Sequence, residues 1–329
     1  MHPLSITILK SLRKIYVSIF KEKQLPPLQR EENPDKASEM IYNLLSDDKP
    51  CMIARFGANE LNAIINYLGV NTTKHSIWEF IQGKQPEWWW NRNIMYNMQN
   101  NAGFFPATPE NMQRFGEMMI EDSKEVDLLA SWLKEETQIL SMHPTLLQRI
   151  WFIFLDPFWS RSPWTKALKN KKVLVIHPFV DLISTQYKNK RKYLFANPDI
   201  LPEFQLLTIK AIQSLGGIDN GFRDWFEALD YMKAQIDKCD YDICLIGCGA
   251  YGFPLAAHVK RMGKKAVHMG GSLQLLFGII GKRWEDPNYG SLELKKKGCY
   301  PQLFNQYWIR PGDKEMPANK DKVEGGCYW

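Results

Sequence analysis

The sequence predicts an α/β fold: a doubly wound, mostly parallel, Rossmann-like sheet with helices on both faces. Three observations predict it. From residue 171 onward, strand-like and helix-like segments alternate four times. The strand segments, such as "KKVLVIHPF" and "YDICLIGCG", are continuous apolar runs, as expected when both faces of a sheet are covered. The helical segments are amphipathic: Phe222, Trp225, Phe226, Leu229, Met232 and Ile236 share one face. Strict alternation of this kind builds parallel βαβ units.

The elements follow in order. In "MHPLSITILKSLRKIYVSIFKEK", Leu4, Ile8, Leu12, Ile15 and Ile19 form one helical stripe, widened by Leu9, Tyr16 and Phe20. Lys10, Arg13, Lys14, Lys21 and Lys23 make it basic. Such a helix can lie on an anionic membrane surface through residues 4–23, or pack on its own domain or a second copy. The proline-rich segment 23–36 reads as a linker. A helix from Ala37 to Leu45 precedes the strand Cys51–Ala54 and a helix from about Asn59 to Leu68. Residues 76–106 are dense in aromatics, which are core packing or stacking surfaces for a sugar or base. A helix from Pro109 to about Asp122 leads to the buried strand "EVDLLASW", ending at Ser131. The aromatic stretch "RIWFIFLDPFWSRSPW" reads as an irregular connection.

The second half holds the strand "KKVLVIHPF", a helix over 180–195 and the strand "EFQLLTIKAI". The helix "FRDWFEALDYMKAQID", the strand "YDICLIGCG" and the helix "YGFPLAAHVKRMG" follow, the last ended by Gly263. The strand "KKAVHMGG" closes the domain. The organisation is therefore a basic amphipathic helix and linker (1–36), an α/β domain (37–286) of two halves joined near 150–170, and an irregular tail (287–329).

At 329 residues the chain can bury a sizeable core. Its net charge of +6 suits acidic small ligands, phosphates or an anionic membrane and is too weak to imply nucleic acid. The six cysteines match no zinc spacing; Cys51 and Cys244 fall in apolar strands and read as buried hydrophobes. No secretory signal or span-length apolar run is visible, which predicts a cytoplasmic protein, at most peripheral at the inner membrane face.

In open α/β sheets, ligands bind where the strands end at their carboxyl sides. The residues at those ends are Arg55-Phe56-Gly57, Ser131-Trp132, His177-Pro178, Gly247-Cys248-Gly249 and His268-Met269-Gly270-Gly271. "GCGAYG" (247–252) matches G-x-G-x-x-G, so Gly247, Gly249, Tyr251 and Gly252 are candidates to cradle a phosphate at a helix start. A tight turn without a ligand is the other reading. A dinucleotide reader needs an acid at the end of the next strand; His268 and the glycine pair Gly270-Gly271 stand there, which counts against a nicotinamide oxidoreductase. His177 and His268 can act as acid, base or phosphate donor, or bond a loop carbonyl. Asp127, in an apolar strand, is an ion pair or part of the site. Asn59 as N-cap and Glu60 in the first turn have a full helix-start explanation; Arg55 beside Gly57 does not, and is a natural anion clamp.

The runs "IARFGANELNAI" and "YDICLIGCGAYGFPLAAHVKRMGKKAVHMGG" resemble the GT-D-type glycosyltransferase fold family. The likeness covers about residues 37–285 in order of elements. It implies a nucleotide-sugar donor and a glycan acceptor in cell-surface polysaccharide or glycan synthesis. In that family an Asp-x-Glu pair holds a divalent metal such as Mn2+ or Mg2+ on the donor diphosphate. Here the Glu falls on Glu60 and the Asp on Ala58. One carboxylate is absent, so a metal at Glu60 is in question, and Arg55, lysines and helix N-termini are alternative diphosphate holders. The readings are a glycosyltransferase, or a non-catalytic nucleotide- or glycan-binding protein of a polysaccharide-assembly complex.

Overall fold

Alternating side chains on short buried strands set the architecture. In β1 (Cys51–Ala54), Met52 and Ala54 join one apolar core while Cys51 and Ile53 join the other, because successive strand residues face opposite sides. The computed structural model describes residues 2–20, 27–214, 220–312, 315–316 and 326–329. The remaining strands are β2 (Leu128–Ser131), β3 (Gln148–Trp151), β4 (Lys172–His177), β5 (Gln205–Lys210), β6 (Ile243–Ile246) and β7 (Lys265–His268). They form one sheet in the order β3-β2-β1-β7-β6-β4-β5, with every neighbouring pair parallel. Ile53 pairs with both Leu128 and Val267, and Ile246 with both Ile176 and His268. That register brings the carboxyl ends of β1, β4, β6 and β7 to one edge.

The helices are α1 (Pro3–Phe20), α2 (Pro34–Ser46), α3 (Ala58–Val70), α4 (Ile77–Ile81), α5 (Arg92–Asn101), α6 (Pro109–Ser123), α7 (Glu136–Leu140), α8 (Val180–Leu194), α9 (Trp225–Ile236), α10 (Gly252–Arg261), α11 (Leu273–Leu276) and α12 (Lys282–Glu285). One sheet face is covered by α3, α5, α6, α9 and α10, the other by α2, α8, α11 and the segment after α12. Covering both faces explains the unbroken apolar strands. The two halves of the sequence thus share one sheet, and Tyr300 and Trp308 of the tail are buried in the second core.

Several sequence expectations need correction. The helix expected from Ala37 starts at Pro34: Asn33 accepts hydrogen bonds from the Asp35 and Lys36 amides, and proline fills the first turn. The segment read as linker also carries a bridge from Glu31 to Ile150. The connection read as irregular contains β3, too short and aromatic to show a period. Asn59 is not the N-cap of α3; Gly57 is, without a side-chain bond, and Asn59 lies inside the first turn. Asp127 is structural: its carboxylate accepts from the Met52 amide at 2.7 Å and pairs with Lys260 at 2.8 Å. In the aromatic run 78–105, Phe80 and Trp89 pack edge to face at 5.2 Å, in line with core packing, while Trp78 is exposed.

Lys21 and Lys23, and the start of the expected linker, lie outside the described residues. No helix among the described residues is long and apolar enough to cross a membrane. The cysteines are free, and burial pushes the Cys51 thiol up to about 12.

Candidate functional site

The aligned strand ends open into a cavity of about 490 Å3. Its first wall is the turn after β1. Arg55 leaves the strand there, its Nε donating to the Phe56 carbonyl at 3.4 Å and its guanidinium carbon 5.4 Å from the Trp132 ring centre. Among the described residues Arg55 forms no ion pair, so its charge is available to an anion in the cavity. Trp132 is fixed from both sides. Its indole donates to the Phe56 carbonyl at 2.9 Å, and its amide donates to Glu136 at 3.1 Å. The buried Glu136 carboxylate also accepts from the Leu133 amide and the Ser131 hydroxyl. Burial raises its pKa, opposed by those three bonds.

The turn after β6 carries the glycines. Gly249 has φ +58, a left-handed conformation that favours glycine. Gly252 opens α10 directly against the His268 ring. A side chain there would collide with the imidazole, so this glycine serves close helix–strand packing, as the third glycine of such turns does. Gly252 is absent from the cavity wall, whereas Gly247 and Gly249 line it. Tyr251 lines it too, but is held from behind: its hydroxyl lies 2.9 Å from Ser214 and its ring stacks on Trp225 at 4.9 Å.

Both histidines at the strand ends line the cavity and both are buried. The His177 Nδ1 accepts from the Phe179 amide at 3.0 Å, which leaves Nε2 as the protonated nitrogen of a neutral ring. Burial pushes its pKa down to about 3. His268 is also pushed down to about 3, chiefly by burial and then by the Arg55 charge. Its Nδ1 is buried without a hydrogen-bond partner among the described residues. Behind Arg55, Asp156 is buried, accepts from the Tyr300 hydroxyl at 2.6 Å, and is raised to about 6 by burial.

Gly57, Ala58, Asn59 and Glu60 line the cavity, with the Glu60 carboxylate folded back over Gly57. Ala58 offers no ligand, and among the described residues no group of three or more His, Cys, Asp or Glu is placed to hold a metal. Among the described residues the protein therefore forms no three-ligand cage for Mn2+ or Mg2+ at this turn.

The far wall was not foreseen from sequence. It comes from Arg283 of α12 and, from the segment read as an irregular tail, Tyr289, Glu293, Tyr328 and Trp329. The end of the chain is tied down by main-chain bonds from Arg283 to Cys327 at 3.0 Å and by Gln274 donating to the Tyr328 carbonyl at 3.1 Å. The Arg283 guanidinium lies 4.9 Å from the Tyr328 ring centre, and that ring covers Gly271. The dense "CYW" aromatics were the only sequence signal, and they have no periodicity to place them. Of the residues singled out in the sequence, the cavity unites Arg55, Gly57, Asn59, Glu60, His177, Gly247, Gly249, Tyr251, His268, Gly270 and Gly271 and leaves out Gly252.

No family model matches the chain, and no curated protein matches it. Among solved structures it is similar to a glycosyltransferase (DUF1792) from Streptococcus sanguinis, at 11% identity over 87% of this chain and 96% of that one, with a TM-score of 0.39. It is also similar to a selenomethionine-substituted domain of unknown function 1792, at 11% identity over 96% of this chain and 99% of that one, with a TM-score of 0.33. A third structure, a domain of unknown function 1792 described as having a distinct glycosyltransferase fold, shows 10% identity over 96% of this chain and 98% of that one, with a TM-score of 0.34.

Proposed function

We propose that the cavity binds a nucleotide-sugar donor and that the protein transfers the sugar to a glycan acceptor. The observation that carries this reading is Arg55: a guanidinium without an ion pair among the described residues, at the edge of a parallel sheet where phosphates are held. The diphosphate lies between Arg55 and the turn Gly247–Gly249. The aromatic faces of Trp132, Tyr289 and Tyr328 suit the base and sugar rings. In the transfer, the bond from sugar carbon to diphosphate oxygen breaks and its electron pair leaves with the nucleoside diphosphate. A bond from the acceptor oxygen to that carbon forms, and the acceptor proton passes to a base. Burial makes proton uptake by His177 or His268 costly, so both serve as neutral partners; His177 offers its Nε2–H to an oxygen. The carboxylates on the wall, Glu60 and Glu293, are the groups suited to position the sugar and take the proton. The reaction belongs to cell-surface polysaccharide or glycan assembly, in the cytoplasm at the inner membrane face. Free, buried cysteines support a reducing compartment.

Ala58 favours a second reading, a non-catalytic nucleotide- or glycan-binding protein of an assembly complex. Thermal unfolding with a panel of UDP-, GDP-, CDP- and dTDP-sugars, with and without chelator, tests both. A donor at a hundred times its dissociation constant adds about 2.7 kcal/mol. The expected result is a shift with one nucleotide class that survives chelator, together with sugar release. A shift without turnover favours the second reading, and no shift with any donor overturns the donor site.

A further inference from the structure

The N-terminal helix meets the rest of the protein with the side opposite to its apolar stripe. Leu9 is buried among Phe80 and Trp89 of the α4 region. Arg13 lies 5.1 Å from the Phe80 ring centre, and Lys10 bridges Glu87 at 2.9 Å. These contacts hold the helix by one side and turn the other outward. On that side Leu4, Ile8, Leu12, Ile15 and Ile19 are exposed, from 43% at Leu12 to 65% at Leu4 and Ile19. They fall within one quarter-turn of the helix, since 3.6 residues per turn stacks positions 4, 8, 12, 15 and 19. Ile77 and Trp78 of α4 are also exposed, and Tyr16 joins Trp78 edge to face at 5.6 Å. The result is a continuous apolar strip on an otherwise anchored helix.

We propose that this strip docks on an anionic bilayer surface, with α1 lying in the plane of the interface. The composition of the helix selects that occupant. It carries no Asp or Glu; Lys14 is exposed, while Lys10 and Arg13 lie on the anchored side. Trp78 and Tyr16 are side chains suited to the headgroup level. Pairing with a second copy through the same strip would add a second exposed Lys14 with no carboxylate on either helix to offset it. The helix is not apolar enough to cross a membrane, so it lies on the surface. This inference deepens the location given in the proposed function and is independent of the cavity chemistry.

Flotation of the full chain with vesicles tests it. The protein should float with vesicles containing phosphatidylglycerol and not with pure phosphatidylcholine. The double variant Ile8→Glu/Ile15→Glu should weaken partitioning by about tenfold or more, and Lys14→Glu by a few-fold. Both variants change exposed side chains, so the melting temperature and any shift with a sugar nucleotide should match wild type. That separates loss of docking from loss of fold or of donor binding. Wild type that floats with neither vesicle, or a double variant that floats like wild type, would overturn the proposal. Equal flotation with both vesicles would overturn the charge selection. A wild-type dimer in solution that the double variant dissociates would assign the strip to a second copy instead.

Discussion

Gly252→Ala should destabilise the protein by about 3 kcal/mol, near the top of the ~1–3 kcal/mol range for overpacking. The added Cβ would lie 2.5 Å from Cδ2 of His268 and nearer still to Nε2. Carbon atoms pack at about 3.5–4.0 Å, so ring or helix must shift by about 1 Å or more. Neither yields easily. His268 is buried at the end of β7, and Phe253, Pro254, Leu255 and Ala256 bury the first turns of α10. With ~2–4 °C per kcal/mol, the melting temperature should fall by about 6–12 °C. Thermal unfolding measures this, and His268→Ala in the Gly252→Ala background should recover part of it, with a coupling of about 1 kcal/mol or more. An unchanged melting temperature would refute the packing explanation. Normal stability with donor binding lost would make Gly252 a ligand contact.

Glu136→Gln keeps the shape but replaces one oxygen that accepts from the Ser131, Trp132 or Leu133 groups by a donor. It should cost about 1–3 kcal/mol in thermal unfolding and loosen Trp132, read as faster indole quenching. The histidines predict an acid effect. Their folded pKa values lie below the ordinary one, so their stabilisation is complete above about pH 6.5 and is lost as pH falls toward about 3. His177→Gln should flatten that loss in urea unfolding at pH 7, 5.5 and 4, unless Phe179 loses its anchor and the protein fails at all three. Asp156 acts with the opposite sign: its raised pKa gives stability that is present below about pH 4 and lost as pH rises through about 6. Asp156→Asn should therefore flatten the trend on that side. Glu60→Gln should abolish turnover in an assay of sugar release while the protein still unfolds cooperatively on heating; unchanged turnover would reduce Glu60 to a helix-start residue.

The parallel sheet was legible because its central strands are buried on both faces: "VLVI" and "ICLI" contain no polar position. The strand ends followed from it, and so did the grouping of Arg55, His177, Gly247 and His268. The edge strand β3 was not legible, since the exposed Gln148 and half-buried Arg149 are polar residues before a run of aromatics. The start of α2 was readable in Asn33-Pro34, a cap followed by a first-turn proline, but the surrounding prolines disguised it. The far wall of the cavity was invisible. Arg283, on the single-turn helix α12, and Tyr289 and Tyr328, on irregular segments, reach the site through long-range contacts that leave no period in the sequence. The glycine motif was visible, yet its three glycines divide their work between a left-handed turn, a cavity wall and a histidine contact, which spacing alone does not reveal.

The central claim is that Arg55 holds the phosphates of a donor in this cavity. Titration calorimetry of wild type and Arg55→Met with the sugar nucleotide that gives the largest thermal shift measures it directly. A charge-assisted contact of about 1.5–3 kcal/mol predicts a dissociation constant about 10- to 150-fold weaker in the variant, with the melting temperature of the free protein preserved. Equal affinity in the two proteins would contradict the claim.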